Sequence, residues 1–337
     1  MMYNESKALF LKVLTPLHAG SGTDLRAVDL PIQREVHTGF PKIEASTLKG
    51  CIRNSFEKSI TDNSTDNKID KETLNLIFGN EEKDKISAAA IAITDARLLF
   101  FPVRSAKGIY ALITCPMVLN RFKKDMELLE KDKELKKKDN ELVNKVMELV
   151  KMEIDKLEDV APALASQESV LTLKTTNDIH TVLLDEYRYD LMYNSLFLEF
   201  CKKLEEIGQL DISKRAVLLP NDDFKDFVMH ATSIVTRIKV GNSGVVENQA
   251  LFTEEFLPEE SILYSLVMMS DSKDKSKGIS QDNSQNTSRD NSSNAQTLMK
   301  AFSSIFYNNK IFQIGADETL GKGFVETFYI EGGDKHE

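Results

Sequence analysis

The side chains best able to do chemistry gather in one polar segment, HAGSGTDLRAVDLPIQREVHTGFP, which carries His18, Asp24, Asp29, Arg34, Glu35 and His37. A carboxylate held beside a ribose-phosphate strand can bind a divalent ion or help deprotonate a 2′-hydroxyl, and either promotes attack on the adjacent phosphate. Loops are polar for general reasons, so any one of these residues taken alone reads more readily as solvated. Local spacing does not separate Asp29 from Asp24.

Three further segments carry chemistry of a weaker kind. Ser46 or Thr47 is placed to cap a helix, TLKGCIRNSFEKS, with Lys49 in its first turn and Arg53 four residues on along the same side. Cations are unfavourable there, so their presence suggests an anion site in which backbone N–H groups and Lys49 converge on a phosphate. A solvated lysine fits the local sequence equally well. Near the end, IGADETLGKGF places Gly315, Gly321 and Gly323 around Lys322. Such a loop lets backbone approach a ligand closely, although a tight turn needing positive φ is the plainer reading. It lacks the Gly-Lys-Ser/Thr run of a Walker loop. Thr236–Phe256 has two β-rich arms around Gly241-Asn242-Ser243-Gly244, a hairpin signal. Its Arg237, Lys239 and Phe252 suit a wedge between bases or an ordinary surface hairpin. His180 and His230 lack paired ligands and read as structural, and no Ser–His–Asp or Cys–His arrangement can be argued.

These segments need a scaffold, and the chain is long enough for one large domain with insertions. Strand signals fall at Ala8–Leu14, Ala88–Phe101, Gly108–Thr114, Val170–Thr175, Thr181–Tyr189, Ile262–Met268, Ile311–Ile314 and Phe324–Ile330. Helix signals fall at Leu48–Phe56, around Leu196, Phe200 and Leu204, and at Asp222–Ala231 and Ala295–Tyr307. Arg121–Asp159 is charged and free of Gly and Pro. Leu128, Leu135, Leu142 and Leu149 recur every seven residues there, but the positions four later are mostly polar, so it reads as a helical insertion rather than a zipper. The stretch 271–294 is low-complexity Ser, Asn, Asp and Lys, a solvated loop. Interleaved strands and helices point to an α+β sheet with helices on one face, of the ferredoxin-like kind that RNA-recognition modules share.

A formal charge of −10 and a pI near 5.2 argue against a protein that coats nucleic acid by summed positive charge, leaving room for a narrow basic groove. Cys51, Cys115 and Cys201 show no metal-ligand spacing and read as reduced thiols. No apolar run reaches membrane-spanning length, and the expected location is cytoplasmic.

Four stretches together, LHAGSGTDLRAVDLPIQREVHTGFPKIEASTLKG, SAAAIAITDARLLFFPVRSAKGIYALITCP, ALFTEEFLP and QIGADETLGKGFV, resemble one family. It is the backbone-subunit family of type III-B (Cmr) CRISPR effectors, within the RAMP superfamily. The resemblance implies an RNA-recognition-like palm over 1–118, 160–233 and 257–330, a helical insertion at 119–159 and a β-hairpin thumb at 234–256. It implies copies stacked head-to-tail along a guide crRNA with other effector subunits, a complementary target RNA, and no membrane. Guide contacts would fall on Ser46, Lys49, Arg53, Gly315, Gly321, Lys322 and Gly323, with Arg237 and Lys239 on the thumb. The aspartate of VDLPIQRE, Asp29, would promote target cleavage opposite each displaced base with a divalent ion, Mg or Mn, as cofactor and His18 as an assistant. Three alternatives stay open: a non-catalytic crRNA scaffold, a guide-processing nuclease, which would ordinarily use a histidine base, and a non-RNA helical scaffold built on Arg121–Asp159.

Overall fold

The first strand is apolar at consecutive positions because both of its faces are covered. A computed structural model describes residues 3–23, 28–61, 70–80, 87–130, 163–174, 177–208, 210–240, 246–272, 294–308 and 310–329. Within them the strands run β1 (Glu5–Val13), β2 (Lys42–Ile43), β3 (Ile91–Ile93), β4 (Ala96–Arg104), β5 (Tyr110–Thr114), β6 (Ala163–Ala165), β7 (Leu173–Lys174) and β8 (His180–Leu184). They continue as β9 (Tyr187–Tyr193), β10 (Ala216–Leu218), β11 (Ser233–Val240), β12 (Val246–Phe256), β13 (Ile262–Met269), β14 (Ile311–Gln313) and β15 (Phe324–Tyr329). The described helices are α1 (Ala45–Thr61), α2 (Lys71–Phe78), α3 (Pro116–Glu130), α4 (Ser195–Gly208), α5 (Asn221–His230) and α6 (Ala295–Asn308).

One large sheet runs in the order β14-β15-β1-β13-β4-β5-β10-β6-β9-β8-β7, with β2 on β4 and β3 on β13; β11 and β12 form a separate hairpin. β1 lies between β13 and β15, antiparallel to both, and β13 is antiparallel to β4. The mixed α+β class matches the expectation. Helices on one face do not. On β1, Lys7 donates to Ser303 of α6 while the Phe10 ring meets Phe122 of α3 at 6.1 Å. Lys7 and Phe10 are an odd number of positions apart and so stand on opposite faces. A strand buried on both sides reads as a continuous apolar run, as Ala8–Leu11 does.

α1 buries the predicted row Leu48, Ile52 and Phe56. Phe56 packs edge-on to Phe78 and Phe306, which ties α1 to α2 and α6. The helix begins at Ala45, one residue before the expected cap. The reason is Asp95, whose Oδ1 accepts the Ala45 N–H at 2.9 Å while its Oδ2 holds Lys42 at 2.8 Å. That use of Asp95 also divides the predicted strand Ala88–Phe101 into β3 and β4. α2 was not among the helices expected from the sequence. Its signal was Asp70, which caps the helix by accepting the Thr73 N–H at 2.6 Å. α3 buries Val118, Leu119, Phe122, Met126 and Leu129. Residues 131–162 and 273–293, with most of the charged region and the low-complexity loop, lie outside the described residues.

Candidate functional site

β11 and β12 pair from Ser233↔Phe256 to Ile238↔Leu251, and their connecting residues 241–245 lie outside the described residues. Along the outer side of β12 the chain at Leu30 adds a short parallel bridge: Leu30 N–H donates to Thr253 O and Glu255 N–H donates to Leu30 O, both at 3.0 Å. Asp29 is therefore carried on the base of the hairpin. It is exposed, and its Oδ2 accepts the Thr253 N–H at 2.7 Å and the Thr253 hydroxyl at 2.8 Å. The Asp29 N–H returns a bond to Thr253 Oγ1 at 3.0 Å. The Thr253 N–H, then its hydroxyl, hold the Asp29 carboxyl below the ordinary carboxylate range. A carboxylate shifted in this direction is a weaker base and suits holding a cation or orienting a hydroxyl. Asp24 lies outside the described residues.

The neighbours of Asp29 in the motif are occupied in positioning. Gln33 takes the Glu44 N–H at 2.7 Å and gives bonds to Gly20 O and Thr47 Oγ1 at 3.1 Å. Arg34 donates to Gly39 O, Val228 O and the buried Glu255 carboxylate, whose Oε2 accepts the Ile32 N–H. Glu35, also buried, pairs with Arg121 and accepts the Thr38 hydroxyl. His18 is 5% exposed; its Nδ1 donates to Glu255 O at 2.7 Å and its ring meets Phe256 edge-on. It braces the hairpin base.

Phe256 is the meeting point of the remaining segments. Lys322 Nζ stands 5.2 Å from its ring centroid and the Arg237 guanidinium 5.6 Å. Arg237 also reaches Asp317 at 2.7 Å and Glu254 at 3.1 Å. Burial, then the Asp317 carboxylate, push the Glu254 carboxyl up. Burial opposes ionisation of Asp317 as well, but Arg237 outweighs it and holds that carboxyl low. Arg237 thus ties the hairpin to the glycine loop and is not a free wedge. The loop in turn touches α1, where Lys58 pairs with Glu318 at 3.0 Å and the Cys51 thiol lies beside the Gly315 backbone. The segments around Lys49 and Gly321 therefore meet in space.

The three glycines do different work. A side chain at Gly315 would collide with the His18 carbonyl, and one at Gly323 with that of Ile314, so both serve internal packing. Gly321 has φ of 71° and open space beside it. Lys49 is half-buried and Ser46 exposed. Arg53 pairs with Glu57 at 3.0 Å. The position of Asp95 at the start of α1 offers competition to any anion there.

Sequence reasoning missed Thr253 and the cross-strand pair Ile238 and Leu251, which are 54% and 66% exposed. Alternation along β12 puts Leu251, Thr253 and Glu255 on one face and Phe252, Glu254 and Phe256 on the other. That period was available in ALFTEEF. The Lys239 backbone lies in β11.

A family model described as the RAMP superfamily matches residues 10–326. The chain belongs to the RAMP superfamily. Among RAMP relatives it is 36% identical to the CRISPR system Cmr endoribonuclease Cmr4 of Pyrococcus furiosus, over 94% of this chain and 92% of that protein. It is 25% identical to the CRISPR system CMR subunit Cmr4 of Saccharolobus solfataricus, over 97% of each. A crystal structure of oligomeric Cmr4 from P. furiosus superposes with a TM-score of 0.64 at 30% identity, covering 97% of this chain and 98% of that one. A chain of a type III-B Cmr-beta complex bound to cognate target RNA gives a TM-score of 0.70 at 21% identity, over 98% and 99% of the two chains, and shares the fold. The resemblance of the four motif stretches is thereby met. No described helix is long and apolar enough to cross a membrane.

Proposed function

We propose that this chain is the crRNA-binding backbone subunit of a type III-B CRISPR effector and cleaves the complementary target RNA at regular intervals through Asp29. The observation that carries this is the placement of Asp29. An exposed, ionised carboxylate rides on a hairpin base beside two exposed apolar side chains, in a RAMP protein 36% identical to a named Cmr endoribonuclease. The partners follow from that reading: guide crRNA, target RNA, further copies of the chain in a filament, and other effector subunits.

The palm is read as ferredoxin-like from the sheet order β15-β1-β13-β4, antiparallel throughout, with α1 following β1 and α6 following β13. The hairpin β11–β12 is the thumb. Ile238 and Leu251 take the role of wedge, displacing a base pair of the guide–target duplex. Guide phosphates are assigned to Lys49, the backbone at Gly321 and Lys322, with Ser46 and Arg53 at the margins of that groove, Gly315 and Gly323 shaping its loop, and Lys239 on the thumb.

Cleavage proceeds by attack of the 2′-hydroxyl on the neighbouring phosphate. The hydroxyl loses its proton, the new ester closes a 2′,3′-cyclic phosphate, and the departing 5′-oxygen takes a proton. Splaying the target strand at a displaced base brings nucleophile and phosphate into line, and that geometry supplies much of the acceleration. Asp29 orients the 2′-hydroxyl or a divalent ion. No cluster of three or more metal-ligating side chains occurs among the described residues. The exposed Asp29 carboxylate would hold an ion such as Mg together with water and RNA phosphates. Bound there, such an ion would stabilise charge on the phosphate. His18 acts through support of the hairpin base.

Asp29→Ala in the reconstituted effector tests the reading. The expected result is loss of target cutting by at least about a hundredfold with assembly and target binding intact. Undiminished cutting would leave a non-catalytic scaffold.

A further inference from the structure

We infer that Thr253 is the positioning residue for the Asp29 carboxylate, and that it makes the cleavage group a passenger of the thumb. This rests on the assignment of Asp29 above and extends it to a residue on a distant strand.

The geometry is a closed ring between two residues 224 positions apart. Thr253 gives two hydrogen bonds to Asp29 Oδ2, from its N–H at 2.7 Å and its hydroxyl at 2.8 Å, and accepts the Asp29 N–H at 3.0 Å. Both bonds from Thr253 end on Oδ2, so the carboxylate rotation is fixed through that oxygen. The adjoining backbone bonds, Leu30 N–H to Thr253 O and Glu255 N–H to Leu30 O, fix the height of Asp29 along β12. Thr253 stands one same-face step from Leu251, whose cross-strand partner is Ile238. Base displacement and carboxylate placement are thereby set by neighbouring positions of one strand. A thumb that seats correctly brings the carboxylate with it.

Exposed carboxylates ordinarily sample several rotamers, so this ring is more than a surface contact. The hydroxyl carries two of these bonds, the one given to Oδ2 and the one accepted from the Asp29 N–H, and both can be removed while the Thr253 N–H bond to Oδ2 stays. Thr253→Val keeps the β-branched shape, the N–H bond to Oδ2 and the backbone bonds to Leu30. Thr253→Ser keeps the hydroxyl.

The experiment measures single-turnover target cleavage and target affinity in the reconstituted guide-loaded effector. The variants are T253V, T253S, D29N and D29N/T253V. Expected are a rate at saturating target about tenfold lower for T253V, the size of one hydrogen bond to a charged group, with target affinity unchanged. T253S recovers most of the rate, and the double variant cuts no worse than D29N. T253V cutting at the wild-type rate while D29N is inactive overturns the positioning role and leaves the Asp29 assignment standing. An equal loss in affinity and rate marks Thr253 as merely structural and also overturns it. D29N cutting normally overturns both. If T253V fails to assemble, Thr253→Ala is read against the same outcomes.

Discussion

The two faces of the hairpin β11–β12 are built to opposite ends. One face carries Arg237, Glu254 and Phe256, with Asp317, Lys322 and His18 brought against them, and its charges are answered from within the molecule. The other carries Ile238 and Leu251 in the open, then Thr253 with Asp29 at its side. A hairpin projecting from a sheet has too little surface of its own to hold a fixed angle. The locked face supplies that angle, and the open face can then be spent on a ligand. Large exposed apolar side chains next to an ionised carboxylate make little sense for a face meant only for water.

Arg237→Ala should break the difference from the locked side, and it carries the larger stability effect. It strands two carboxylates. The expected loss is about 1–2 kcal/mol, below the range for a fully buried pair, because Arg237 keeps 22% of its side-chain surface exposed. The loss should narrow as pH falls, first where Glu254 takes its proton above the ordinary carboxylate range and then below that range, where Asp317 takes its own. Asp317 is held low by Arg237, so its stabilising ion pair is present above the ordinary carboxylate range and fades as pH falls. Glu254 is pushed up by burial and Asp317, takes a proton early on acidification, and then needs no cation. Denaturant unfolding at several pH values reads the gap. A gap that is constant with pH would mean that the carboxylates are not facing Arg237.

Replacing both Ile238 and Leu251 with Ser probes the open side and should hardly touch stability, within about 0.5 kcal/mol. Cutting should nevertheless fall several-fold, because the displaced base is no longer held out of the stack. Equal loss of stability and cutting would remove the distinction between the faces.

Much of this was legible beforehand, and where it was not the physics is specific. The apolar rows of β1 and α1 declared themselves, because burial selects residue type at every turn. The motif VDLPIQRE stood out, yet residue type could not say that Gln33, Arg34 and Glu35 are consumed in bracing while Asp29 is left open. That depends on Glu44, Arg121 and Glu255, far along the chain. The glycine loop read locally as a tight turn before a ligand cradle, but that two of its glycines answer backbone contacts with His18 and Ile314 is something no local signal announces. Arg237, with Lys239 and Phe252, suited a wedge or an ordinary surface hairpin equally well on local grounds. Its partner Asp317 lies 80 positions on, so only the fold could reassign it. Helices on both faces of β1 followed from the run Ala8–Leu11, a clue present in the sequence and not used.

Site-specific photocrosslinking tests the account most directly. A benzoylphenylalanine placed at Leu251, and separately at Phe252, in the guide-loaded effector with labelled target reports what each face meets. The account predicts crosslinks from Leu251 to target nucleotides flanking each cut, at the interval of the cuts, with few from Phe252. Crosslinks from both positions alike, or from Leu251 to nucleotides away from the cuts, would contradict it.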